Sequence, residues 1–432
     1  MPLDNERPKG GTVDAADPGR DAVHSAAGRG LDALNLVVAN VQTGFGPFIA
    51  VFLTSEGWTQ TAIGVALSIG TITAMASQVP AGALVDATHR KSLVALLSVL
   101  AFTASALMFA LSPTPLTVYL AEILHGFSSC TLGPAIAALS LAIAGSAALG
   151  VRLGRNARFA SIGNGVGAAL MGACGYYLPE RFVFFLTALL TLPAFWALKP
   201  LGRFERDDPV ARAEAYRKPP GGWRATWRLL ADRRLALFAL CAALFTLGNA
   251  ALLPLVSGAV TKRATGEANL MIAGCIILPQ ILVALASPTV GRFADRYGRR
   301  AMVVLAFAAL AVRALAFTWV RDPELVVVVQ VLDGISGACF GVMVPLVTAD
   351  IAGRSGHFNL CLGAVGFAIG VGATISTSLA GWTADRFGET AAFALLTTVS
   401  LAGTVLAATV LPETHPNPQP MRLATLWRVW AR

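Results

Sequence analysis

Charged side chains are scarce in this chain. They make up 13% of its 432 residues against 55% hydrophobic, about half the charged share of an ordinary soluble domain. A water-soluble globule is thereby excluded. Histidine is nearly absent, with five in all, and the six cysteines, Cys130, Cys174, Cys241, Cys275, Cys339 and Cys361, fall inside apolar runs without CxxC spacing. Neither zinc nor a disulfide framework suits that pattern, and the thiols read as small apolar packing groups. No GxxxxGK[ST] loop occurs, which argues against an ATP-driven motor within the chain. A nucleophile elbow and a metal-ligand cluster are missing too, so no cofactor is expected, and a membrane-embedded enzyme or sensor is only a remote alternative. The first residues lack the apolar core of a cleaved secretion signal.

What is abundant is apolar sequence, in runs of 18 to 28 residues. A helix needs about 20 such residues to cross a bilayer, whereas barrel strands alternate over about 10, so the runs predict an all-α membrane protein. Hydropathy places helices at 31–53, 60–82, 92–111, 116–143, 158–178, 182–199, 234–258, 269–290, 301–320, 324–350, 358–381 and 389–411, twelve in all. The flanking segments read as a disordered tail over 1–28, a polar linker over 200–233, and a second tail over 412–432. The second tail ends in MRLATLWRVWAR, which resembles an interfacial anchor helix.

The formal net charge of +9 is a topology signal. Of the 33 Lys and Arg, 27 fall on the side shared by both termini, five on the other, and Arg313 inside a helix. Positive charge collects in the cytoplasm, so both termini are expected there, in a bacterial inner membrane, with no role for nucleic acid.

The chain repeats itself. Shifted by 208 residues, LAEILHGFSSCTLGPAIAALSLAIAG from 120 falls on VVQVLDGISGACFGVMVPLVTADIAG from 328, with seven of 26 positions identical, including Gly126 with Gly334 and Gly133 with Gly341. At an offset of 209, the charged hinge GALVDATHRK from 82 meets GRFADRYGRR from 291. Residues 29–199 and 234–411 therefore read as two pseudo-symmetric six-helix bundles, a repeat arrangement of secondary transporters.

These hinges resemble the loop signature of the major facilitator superfamily, roughly Gly-x-x-x-Asp-x-x-Gly-Arg/Lys, between helices 2 and 3 and helices 8 and 9. Gly291, Asp295, Gly298 and Arg299 match it fully, while Gly82, Asp86 and Arg90 match it with His89 at the second glycine. The resemblance spans residues 31–411 and implies a cytoplasmic gate built from those seven residues. Gly82 and Gly291 would let helices approach closely. Asp86 and Asp295 would reach Arg90, Arg299 or a helix N-terminus across the gate, or the charges would serve topology alone. QVLDG from Gln330 and LPET from Leu411 further resemble one bacterial branch of the family.

In that family, helices 1, 4, 7 and 10 line a central cavity. The matching polar residues are Asn40, Gln42, Glu122, His125, Asn249, Gln330 and Asp333. Glu122 with His125 and Gln330 with Asp333 are each three apart, on one helix face, and are repeat equivalents. Ionisable groups at mid-bilayer cost several kcal/mol and usually face a cavity or a partner. Arg313 either pairs with Asp333 or snorkels to the outer interface. Proton-driven exporters of the family often carry Arg-x-x-Gln-Gly on helix 4 and a Gly-Pro pair on helix 5. Here helix 4 reads Glu122-Ile-Leu-His125-Gly126 and helix 5 reads GNGVGAALMGACG without proline. Proton binding would then fall to Asp333 or Glu122, with Asn164 and Gln280 serving the cavity or interhelical hydrogen bonds.

The expected function is secondary active transport of a small molecule by a proton-coupled monomer in the lipid bilayer. Export of drugs or metal-chelating metabolites competes with uptake of a polar metabolite, and the polar set favours a cationic or neutral ligand.

Overall fold

A backbone in lipid must satisfy its own polar groups, and the described residues of this chain do so with helices. The computed structural model describes residues 18–43, 47–207, 228–261, 268–320, 322–353, 355, 357–415 and 418. Residues 1–17 of the first tail, most of the linker (208–227) and the anchor-like segment 421–432 lie outside the described residues.

The first half comprises α1 (Pro18–Thr43, resumed as Pro47–Ser55), α2 (Gln60–Ala87), α3 (Lys91–Leu111), α4 (Pro115–Ala144), α5 (Leu149–Tyr177) and α6 (Arg181–Leu190, resumed as Leu192–Asp207). The second comprises α7 (Arg233–Asn249, resumed as Leu252–Thr261), α8 (Ala268–Tyr297), α9 (Arg299–Trp319), α10 (Pro323–Val329, resumed as Val331–Ala352), α11 (Phe358–Phe387) and α12 (Glu389–Thr409). Among the described residues there is no strand, and nine helices are long and apolar enough to cross a membrane. Local chemistry starts several of them. Thr114 and Thr117 form a capping box on α4, and Asp232 and Asp322 accept N–H groups at the starts of α7 and α10.

The hydropathy boundaries are corrected at several ends, among them α6, which runs on to Asp207, eight residues into the segment expected as linker. Helix α1 starts at Pro18, so residues 18–28 are helical rather than part of a disordered tail. Helix α5 starts at Leu149, nine residues before the expected 158, because Arg152 is buried against Asp32 and the exposed Arg155 pairs with the same carboxylate. Helix α8 runs on to Tyr297, carrying its charged hinge as a last turn.

One core is formed by α1 to α6, centred on Phe52, Phe102, Phe109 and Phe184; a second is formed mainly by α7 to α12, around Phe238, Phe307, Phe317 and Phe393. The halves join through two extensive pairings, α5 on α8 and α2 on α11. Large apolar side chains such as Leu97, Trp196, Leu285 and Trp319 point outward, a liability in water and a match to lipid.

The repeat is visible in packing. Gly126 on α4 lies against the Gly70 carbonyl on α2, and Gly334 on α10 lies against the Pro279 carbonyl on α8, 209 residues further on. In the second core, a Cβ on Gly403 would stand 2.1 Å from the Phe307 ring. Gly403→Val is therefore expected to cost about 1–3 kcal/mol by overpacking. A thermal unfolding midpoint unchanged from the parent would contradict that contact.

Candidate functional site

Both charged hinges end on helix N-termini. At the end of α2, the Asp86 carboxylate accepts from the backbone N–H groups of Asn359 (3.0 Å) and Leu360 (2.8 Å) and from Asn359 Nδ2 (2.7 Å), all in the first turn of α11. At the end of α8, Asp295 accepts from the Val151 N–H (2.9 Å) in the first turn of α5. Free N–H groups and the positive end of the helix dipole favour an anion there. Each carboxylate thus clamps one half to the other.

The glycines make that approach possible. A Cβ on Gly82 would lie 2.0 Å from the Asn359 carbonyl oxygen, and one on Gly291 would lie 2.1 Å from that of Gly150. One turn further in, Gly363 abuts the Gln78 carbonyl and Gly154 that of Ser287, where a Cβ would stand at 2.2 and 2.3 Å. Each contact maps onto its counterpart by the same 209-residue shift.

The basic residues of the hinges act within their own halves. Arg299 is buried, with Nη1 3.3 Å from Asp295 and Nε 3.0 Å from Asp350. Gly298 turns the chain at φ +103°, and Glu413 accepts from the N–H groups of Arg299 (2.8 Å) and Arg300 (3.2 Å). Glu205 does the same for Lys91 (2.7 Å) and Ser92 (3.1 Å) at the start of α3. Arg90 is exposed, and Lys91 bonds the carbonyls of Val85 and Thr88 in its place.

Toward the other end, helix breaks bring polar groups together. Helix α7 breaks after Asn249 and α10 at Gln330, which puts Asp333 in the first turn of the resumed α10. Arg313 of α9 is 1% exposed, and its Nη1 lies 2.5 Å from Asp333 Oδ1 and 2.7 Å from Asn249 Oδ1. Arg313 therefore pairs inside the protein and does not snorkel outward. Gln330 is fully buried at the break, beside Cys275.

In the first half, Glu122 is buried against Gly70, 3.9 Å from His125 Nδ1, and its Oε1 has no hydrogen-bond partner among the described residues. His125 meets the Phe102 ring edge-on at 5.3 Å. Asn40 is buried against Gly167 on α5, while Gln42 is exposed. The structure thus gathers Arg313, Asp333 and Asn249 in one cluster and Glu122 with His125 in another. Asn164 Nδ2 lies 3.5 Å from Gln280 Oε1, between α5 and α8.

Between the halves, on the hinge side, lies a cavity of about 330 Å³ bounded by α1, α2, α4, α5, α10 and α11. Its polar lining comes from Asn35, Gln78, Ser129 and Asn156, and none of the titratable pairs reaches it.

Sequence reasoning passed over three groups. Asp32 on α1 is 4% exposed and pairs with Arg152 and Arg155, while Asn156 links Arg152 to Ser140. An acid inside an apolar run was the available signal. Glu205 and Glu413 stand 208 residues apart, so the repeat offset already pointed to them as a pair. Asp350 carried no such mark.

Comparison with known proteins completes the picture. A family profile described as Major Facilitator Superfamily matches residues 32–282 and 238–429. An uncharacterised MFS-type transporter of Mycobacterium tuberculosis is 33% identical over 396 residues, covering 91% of this chain and 95% of that protein. Multidrug resistance protein 1 of Bacillus subtilis is 30% identical over 162 residues, 36% of this chain and 39% of that one. Among solved structures, the proton:xylose symporter XylE superposes with a TM-score of 0.67 at 13% identity, over 92% of this chain and 96% of its own. The human organic anion transporter MFSD10 superposes with 0.64 at 15% identity, over 90% and 100%.

Proposed function

The chain belongs to the major facilitator superfamily, whose members are transporters rather than enzymes, and on that premise we propose that it is a proton-coupled secondary transporter of a small molecule. It works by alternating access in a bacterial inner membrane, with both termini and the charged hinges on the cytoplasmic side. The observation that carries this reading is the doubled clamp: two carboxylates, Asp86 and Asp295, each on a helix N-terminus of the opposite half. Contacts of that kind hold one end shut in one state and break in the other.

The proton is assigned to Asp333. Its partner Arg313 is a buried cation inside a membrane span, a position that marks a functional pair by default. Side-chain exposure of 27% at Asp333 against 1% at Arg313 leaves the carboxylate the member that water can reach. Protonation discharges Asp333, releases Arg313 to Asn249, and so links proton binding to the packing of α7, α9 and α10. Glu122 and His125 occupy the equivalent place in the first half, where the exporter-type arginine does not stand.

The test is transport into proteoliposomes under an imposed pH gradient, in both directions, with ethidium as a lipophilic cation and xylose as a neutral solute. Gradient-driven movement of one probe at least tenfold above the gradient-free rate is expected, falling to that rate in Asp333→Asn. Coupled movement unchanged in the variant would sink the proton assignment, and a gradient that accelerates neither probe counts against coupling to protons.

A further inference from the structure

One face of α6 stays outside the fold from Leu189 to Arg206. Steps of three and four residues along it give Leu189, Leu192, Trp196, Lys199, Arg203 and Arg206, all exposed. Such steps return to one side of a helix, so these side chains form a single row that continues past the break at Thr191. The opposite face, through Ala194, Ala197, Leu201 and Phe204, is buried in the first core. Along the row the chemistry changes in order, from two leucines to a tryptophan to three cations.

That order matches the layers of a bilayer. Leucine suits acyl chains, tryptophan collects at the edge of the hydrocarbon, and Lys and Arg extend to the headgroups. By helical rise, Lys199 stands about 4.5 Å and Arg203 about 10.5 Å past Trp196, into and across a headgroup layer about 5–7 Å deep.

The general rules for charge do not demand this row. Cations favour helix C-termini, and positive charge collects on the cytoplasmic side. Both rules apply equally to α12, the repeat equivalent of α6. At the 208-residue offset that sets Glu205 on Glu413, the row in α12 reads Thr404, Ala407, Leu411 and Thr414, with no charge in it. Helix α12 also ends at Thr409, the counterpart of Leu201, whereas α6 continues to Asp207. The turns that carry Arg203 and Arg206 are thus an addition of the first half alone.

Two of the cations are available. Arg206 gives its Nε to the Gly202 carbonyl (3.2 Å), while among the described residues no acid pairs with Lys199 or Arg203. Glu205 is engaged elsewhere, accepting from the N–H groups of Lys91 (2.7 Å) and Ser92 (3.1 Å), which brings the exposed Arg90 alongside. Asp207 ends the helix one step of about 100° round from Arg206. Like charges four residues apart repel, so Lys199 and Arg203 weaken the helix unless an anion lies between them.

We propose that this row binds an anionic phospholipid of the cytoplasmic leaflet, with the headgroup phosphate between Lys199 and Arg203 and an acyl chain along Trp196, Leu192 and Leu189. The inference uses the cytoplasmic placement of the hinges and nothing about what is carried. A lipid seated there holds the turn whose Glu205 caps the start of α3, next to the Asp86 hinge. Only one of the two clamps is therefore tied to the membrane surface in this way.

Native mass spectrometry of the full chain in detergent tests this, with dioleoyl phosphatidylglycerol as the anionic probe and dioleoyl phosphatidylcholine as the zwitterionic one. Near a surface each Lys or Arg contributes about fivefold to the attraction of anionic lipid, so Lys199→Gln with Arg203→Gln should weaken phosphatidylglycerol binding about 30-fold. Lys199→Arg with Arg203→Lys keeps both charges and should retain it. Arg233→Gln with Arg234→Gln, at exposed positions starting α7 on the same side of the membrane, removes equal charge and should leave binding unchanged. Thermal unfolding unchanged from the parent shows that the variants fold. The proposal is overturned if the two lipids bind alike, if the α6 charge-free variant binds as the parent does, or if the α7 variant loses as much. Competition by sn-glycerol 3-phosphate at the concentration of the lipid would identify a soluble phosphate site and sink the lipid assignment.

Discussion

Asp333→Ala will destabilise the protein by about 3–5 kcal/mol, the usual cost of removing one partner from a buried ion pair. Arg313 is 1% exposed within a membrane span, and with the carboxylate gone the side-chain hydrogen bond left to it among the described residues is to Asn249. A guanidinium left unpaired at that depth has no route to water short of rearranging α7, α9 and α10. Asp333→Asn retains an oxygen for Arg313 and is expected to lose less. The double replacement Arg313→Met with Asp333→Leu removes both charges and should regain most of the loss, since apolar substitutes for a buried pair are often neutral or stabilising. Denaturant unfolding in detergent reads all three. A double variant no more stable than Asp333→Ala would show that the cluster holds the fold by something other than charge pairing.

Opening of the hinge end is the second large effect. Asp86→Asn with Asp295→Asn keeps the side-chain shape but removes both anions from their helix N-termini. A hydrogen bond to a charged group contributes about 1.5–3 kcal/mol, so losing a difference of that size lowers the ratio of closed to open molecules roughly 10- to 100-fold. Spin labels at Ser146→Cys and Arg296→Cys, both exposed and on opposite sides of the junction of α5 with α8, report the change as a longer distance. The single variants are expected to fall between parent and double. Distance distributions identical in parent and double variant would remove the clamp from the mechanism.

Much of this was legible before any coordinates. Long apolar runs have one solution in a bilayer, so the spans could be read, and the 208- and 209-residue offsets located both hinges and the paired polar positions on α4 and α10. The expectation that an aspartate would seek a helix N-terminus needed only the dipole argument. Hydropathy misreads charges that pair with a buried acid: Arg152 and Arg155 look like loop residues until Asp32 is placed against them. The cavity was illegible for a different reason. Its wall is made of residues with no signal of their own, three amides, a hydroxyl, three glycines and two prolines among apolar side chains, whose meaning depends on which helices face one another. The titratable residues of α4 and α10 stand about 12 Å along each axis from Cys130 and Gly341, which line the cavity.

The 209-residue correspondence of the clamps has an evolutionary consequence. Helix α2 meets α11 and helix α5 meets α8, so the patch each half offers is the same patch, used with partners exchanged. That is an isologous face, the kind by which a twofold homodimer closes on itself. The halves meet as two copies of one subunit would, now tethered in one polypeptide and free to diverge. The divergence is already chemical: Asp32 and Arg152 of one half correspond to Cys241 and Cys361 of the other, so an ion pair in one half stands where the other has two thiols.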